Sequence, residues 1–101
     1  MSLIYHITTL PEWEQSVKNG FHTAASFQTE GFIHCSTRDQ VEGVLHKYFQ
    51  GTSSIIELTI DPDKLTSKLV YEPAPTTNEL FPHVYGPINC DAVIAVENVK
   101  L

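Results

Sequence analysis

Three short segments carry one arrangement, a histidine followed two residues later by a hydroxyl-bearing side chain: His6-Ile7-Thr8, His34-Cys35-Ser36 and His83-Val84-Tyr85. Each lies in or beside an apolar run that reads as a β-strand. Alternate strand residues share a face, so each imidazole points the same way as its hydroxyl. Neutral imidazole both donates and accepts a hydrogen bond and titrates near neutrality. That suits it to holding sugar hydroxyls, to moving a proton or to ligating a metal. If the three strands are neighbours, the six side chains line one polar pocket. A single such histidine serves as readily as a packed structural group; the threefold repeat of the pattern favours a site.

His6, His34 and His83 would give a zinc ion three donors and one open position. No two of them have the local spacing of a zinc signature, and no metal is expected. Nucleophilic catalysis has less support. Ser36 is not in a Gly-x-Ser-x-Gly elbow, and Cys35 alternates away from His34. His22 and His46 read as surface residues, one on a loop and one on a helix. Ser36, Thr37 and Arg38 stand where a strand gives way to a helix N-terminus, where unpaired N–H groups and a guanidinium fork favour an anion. The segment 81–87, Phe-Pro-His-Val-Tyr-Gly-Pro, brackets His83 and Tyr85 with prolines. Gly86 there permits a close backbone approach, so the segment reads as one wall of a binding site.

The elements that position these residues follow from periodicity. Residues 3–8 alternate as a half-buried strand. Thr9 and Glu12 form a capping box with Pro11 in the first turn, which opens a helix that runs to Asn19 and stops at Gly20. Trp13 and Val17 on that helix face the sheet. Residues 21–29 read as a loop and 31–36 as the second strand. Thr37 and Gln40 cap a second helix, whose buried stripe is Val41, Val44, Leu45, Tyr48 and Phe49. Residues 55–60 and 68–72 are further strands, 73–82 an extended loop, and 83–99 one or two more strands. The order β-α-β-α and then several strands predicts a single small α+β domain with two helices in its first half.

The chain has 101 residues, 42% hydrophobic and 18% charged, enough for one domain with a modest core. Net charge is -6, with Arg38 the one arginine among six cationic residues. That argues against duplex nucleic acid and against anionic membrane, yet leaves room for a small phosphorylated ligand. Cys35 and Cys90 suggest no disulfide framework and read as buried free thiols. No signal-type leader or bilayer-length apolar run stands out, so the expected setting is the cytoplasm, as a monomer or small homo-oligomer.

The order of segments Ile4-Tyr5-His6-Ile7-Thr8, Gly31-Phe32-Ile33-His34-Cys35-Ser36 and Phe81-Pro82-His83-Val84-Tyr85-Gly86-Pro87 looks like that of the bacterial family called domain of unknown function 952. The first half also resembles, more distantly, the ADP-ribosyltransferase superfamily and its RNA 2'-phosphotransferase branch. Those proteins open on Tyr-His-Gly-Thr and carry a second strand ending His-Leu-Ser. His6 and Thr8 match the first motif, with Ile7 in place of its glycine, and His34 and Ser36 match the second. The resemblance implies a split β-sheet and a nucleotide ligand, with His6 holding a ribose hydroxyl and His34 and Ser36 shaping the nicotinamide-ribose pocket of NAD. The third motif's Glu or Gln is replaced by His83 and Tyr85, with Glu72 and Glu79 nearby in sequence. Three functions therefore stand as expectations: a transferase acting on NAD or an ADP-ribose nucleotide, a non-catalytic nucleotide-binding accessory module, and a hydrolase using a metal on its histidines.

Overall fold

The computed structural model describes residues 2–25 and 27–100. In chain order the elements are β1 (Ile4–Thr9), α1 (Leu10–Asn19), β2 (Phe21–His22), α2 (Phe27–Glu30), β3 (Ile33–His34), α3 (Val41–Tyr48), β4 (Ile55–Ile60), β5 (Lys68–Pro73), β6 (Leu80–Tyr85), β7 (Ile88–Asn89) and β8 (Val93–Val99). Short 3-10 turns occupy Arg38–Gln40, Pro62–Lys64 and Cys90–Ala92. Every strand pairing is antiparallel. This is the α+β architecture that late-clustered strands predict.

The strands form two three-stranded sheets, β1-β4-β8 and β3-β6-β5, and a small ribbon of β2 with β7. One bridge, Tyr5 to Ser36, joins the larger sheets: each residue's N–H donates to the other's carbonyl, at 2.8 and 2.7 Å. Beyond that bridge β1 and β3 part company. β4 is buried at all six positions. Its alternation sends Ile56, Leu58 and Ile60 into a core with Ile4, Ile33, Cys35, Val84 and Ile88, while Ile55 joins Ile7 and the α3 residues Val41, Val44 and Leu45. Burying each such side chain contributes about 1.5–3 kcal/mol, so β4 is the principal anchor of both layers.

α3 stops at Tyr48 with Phe49 as its C-cap, before Gly51, whereas α1 ends where its sequence says. Gly20 adopts φ 86°, and its N–H closes onto the Ser16 carbonyl, as a left-handed C-cap requires. Several expectations need correction. Segment 21–29 is not a plain loop: it holds β2, which pairs Phe21 with Asn89 and His22 with Ile88, and then the single turn α2. A two-residue strand lacks enough alternation to betray itself locally, and α2 makes a third helix in the first half. The loop at 73–82 is largely a β-hairpin, with Pro73 opposite Leu80 and Pro82 opposite Tyr71. Pro82 is tolerated because its carbonyl still accepts the Cys35 N–H at 2.9 Å. Val17 is not buried against the sheet and stays 57% exposed, while Trp13 packs against the core as expected. Tyr48 is likewise exposed. Cys35 is buried, but Cys90 is only partly so.

Candidate functional site

The three His-hydroxyl pairs do lie on adjacent segments, but not on one face. β1 alternates so that Ile4, His6 and Thr8 share the α1 side, and Ile7 faces α3. Ile33, Cys35 and Val84 belong to the α1-side core, which turns His34, Ser36, His83 and Tyr85 to the α3 side. A single pocket lined by all three pairs is therefore corrected to two adjoining clefts. They share His34, Glu30, Val44 and Tyr48 in their walls.

The larger cleft, about 650 Å³, lies between the β5-β6-β3 sheet and α3. Its wall carries His34 and His83, which stand opposite one another in the register with ring centroids 5.4 Å apart. Glu72, on neighbouring β5, gathers this wall into a network. His83 Nδ1–H donates to its carboxylate at 2.8 Å and the Tyr85 phenol at 2.5 Å. Phe32 stacks on the His83 ring at 3.9 Å and 14°. The two donors hold the Glu72 carboxyl below its ordinary range, Tyr85 contributing most, and the same carboxylate pushes the Tyr85 phenol up. Burial, aided by His83, lowers His34. Charged lining residues are Glu30, Glu72 and Glu79 against Lys47, so the cleft favours neutral or cationic chemistry.

The smaller cleft, about 380 Å³, is lined by both His6 and His34 together with Thr8, Glu12 and Ser36. Here the capping box read at Thr9 and Glu12 gives way. Thr9 makes no side-chain cap, and the Glu12 carboxylate instead accepts the Thr8 hydroxyl at 2.5 Å. His22 is not a surface residue: it is fully buried, with its ring 4.9 Å from that of His6. One nitrogen of each imidazole and a Glu12 carboxylate oxygen lie within 4.8 Å of one another, which makes these three the residues able to hold a metal ion. His6, His34 and His83 form no such group among the described residues. Burial, then the neighbouring His22, lowers His6 to about 4, and burial lowers His22 to about 4.

Other expected site residues lie elsewhere. Arg38 pairs with Glu57 at 2.9 and 3.3 Å and stacks over Tyr5 at 4.4 Å, away from both clefts. Its fork is spent on a nearly buried carboxylate rather than offered to phosphate. Thr37 gives its N–H to Gln40 and opens a 3-10 turn that leads into α3. Gly86 lines neither cleft. It holds φ 152°, and a Cβ there would collide with the Ser67 side chain, so its role is in the fold. His46 is exposed, as its place on the helix predicts.

The profile of the family described as protein of unknown function DUF952 matches residues 7–96. The chain belongs to the DUF952 family. No curated protein matches it. The crystal structure of protein CC0527 from Caulobacter crescentus is similar to this DUF952 chain, with TM-score 0.91 and 28% identity over 99% of this chain and 88% of that one. A crystal structure of its double mutant also gives 0.91 at 27% identity, and the solution NMR structure gives 0.84 at 28%. No helix among the described residues of the DUF952 chain is long and apolar enough to cross a membrane.

Two residues of the site escaped the sequence. Glu12 was explained by capping, a role its spacing fits equally well. His22 lay in a segment whose strand is defined only by a partner near the other end of the chain. Glu72 had one usable signal: it alternates with Val70 on a strand, as His83 does with Tyr85.

Proposed function

We propose that this DUF952 chain binds a ribose-bearing small molecule of the NAD or ADP-ribose class in the larger cleft, with its sugar against the His34–His83 wall. What supports this is the Glu72 carboxylate held by both His83 and Tyr85 at that wall. With Nδ1–H committed to Glu72, His83 presents Nε2 to the cleft as the ring atom that takes a proton. A volume of about 650 Å³ suits a nucleoside-sized ligand. The excess of carboxylates selects the cationic nicotinamide-ribose end over the pyrophosphate, and Arg38 is not there to oppose that choice.

Turnover would proceed by breaking the glycosidic C–N bond, the electron pair leaving with nicotinamide. The resulting ribosyl cation is stabilised by the nearby Glu72 charge. An acceptor hydroxyl then bonds to C1 and passes its proton to His83 Nε2. His34 orients the sugar, and Tyr85 keeps Glu72 in place.

The test is a two-dimensional NMR titration of labelled protein with NAD and with ADP-ribose, followed by an assay for released nicotinamide. Expected are shifts on Phe32, His34, His83 and Tyr85, lost in folded His83→Ala. Binding without nicotinamide release on prolonged incubation identifies an accessory module using the same cleft. Absence of shifts at millimolar ligand overturns the proposal.

A further inference from the structure

Among the described residues, two buried side-chain nitrogens have no hydrogen-bond partner: His6 Nε2 and His22 Nε2. They belong to residues 6% and 0% exposed. An acceptor buried without a donor costs about 1–3 kcal/mol, so a pair of them side by side calls for a physical cause.

A carbonyl only accepts, so the 2.7 Å bond from His6 to the His34 carbonyl places the proton on His6 Nδ1 and leaves Nε2 a bare lone pair. Ser16 has one hydroxyl hydrogen, and it goes to the Glu12 carbonyl at 3.0 Å. The 2.6 Å contact between Ser16 and His22 is therefore a donation from His22 Nδ1, which leaves that Nε2 bare too. Thr8 donates to the Glu12 carboxylate, whose oxygen lies 3.9 Å from His22 Nε2. Two lone pairs and a carboxylate thus stand together with no hydrogen among them. A cation satisfies all three at once.

We propose that His6, Glu12 and His22 bind a divalent first-row transition ion of the zinc type, its open coordination positions facing the smaller cleft. Two imidazoles and one carboxylate are the donor set such ions take, whereas calcium and magnesium prefer oxygen alone. Each ligand already has an outer partner that fixes it: the His34 carbonyl, the Ser16 hydroxyl and the Thr8 hydroxyl. Bonds of about 2.0–2.1 Å require tetrahedral ligand atoms about 3.3 Å apart. The present set lies within 4.8 Å, and closing on an ion takes small side-chain movements, for which Glu12 is the partly exposed member. The site is independent of the ribosyl proposal, since Glu72, His83 and Tyr85 contribute no ligand.

The experiment uses the whole chain after chelator treatment, titrated with cobalt(II) as a spectroscopic probe and then with zinc(II) to displace it. Expected is saturation at one equivalent with visible d–d absorption, bleached by zinc. Zinc should also raise the thermal midpoint. Glu12→Gln and His22→Asn each weaken binding at least roughly tenfold, while His46→Ala and His83→Ala leave it unchanged. Glu12→Gln keeps the half-exposed side chain's shape, so it decides the matter should His22→Asn fail to fold. Lack of saturable binding, or binding undiminished in folded Glu12→Gln, overturns the site and assigns a bridging water to the two nitrogens.

Discussion

Tyr85 and His83 converge on one oxygen of Glu72, and this shared acceptor is open to direct measurement. The carboxylate favours the neutral phenol, so Tyr85 titrates above an ordinary tyrosine. In Glu72→Gln its ultraviolet titration should fall back toward the ordinary value, with Tyr85→Phe assigning the signal. The sign for stability follows: the raised phenol contributes stability below its unfolded value near 10 that is lost as pH rises through the folded one. The lowered Glu72 carboxyl acts in the opposite sense, adding stability above the ordinary carboxylate range that disappears as pH falls through its folded value. Cys35 gives a second prediction. Burial pushes its thiol far up, so a thiol reagent should modify it only as fast as the protein opens, whereas partly buried Cys90, whose thiol burial and then Asp91 also raise, should react faster. At this scale the sequence named the His-hydroxyl pairs but not their neighbours. A residue's type and its strand parity are local facts; that Glu12 turns to Thr8 rather than to the helix end is decided by packing across the sheet.

The elements were legible where their pattern runs long enough. β1, α1, α3, β4 and β5 follow from alternation or helical spacing, and the Gly20 stop from its left-handed φ. β2 and β7 are two residues each, too short for a period to register, and they exist because each supplies the other's hydrogen bonds across the chain; β3, read at 31–36, is shorter than its pattern, at Ile33–His34. Prolines misled in the opposite direction, because Pro82 enters β6 with its carbonyl still bonded. Two changes test how elements join. Gly86→Ala forces both a positive φ and a collision with Ser67 between β6 and β7, and should cost about 1–3 kcal/mol in urea unfolding. Arg38→Ala strips the partner from Glu57, which is 6% exposed on β4. The loss should be about 1–2 kcal/mol, limited by the exposure of the arginine itself, and Arg38→Ala/Glu57→Gln should recover part of it.

For the molecule as a whole, β4 is common to both packed layers while the two sheets touch through the Tyr5–Ser36 bridge. Leu58→Ala should cost about 2–5 kcal/mol, and amides of β4 should be the slowest to exchange with solvent, whereas those beside the β1–β3 gap exchange through smaller openings. The α+β class was readable from the order of elements, but the division into two sheets was not, since it depends on which strands become neighbours. The pairing of Phe21 with Asn89 and of His22 with Ile88 also has a consequence in time. During synthesis β7, the strand that pairs with His22, is made only after β3, β4, β5 and β6. Translation at about 5–20 residues per second separates the two by several seconds. Through that interval the nascent chain has its first helix, with Ser16 already there for His22, but lacks the strand that pairs with β2, so the surroundings of His22 are completed only after β7 has been made.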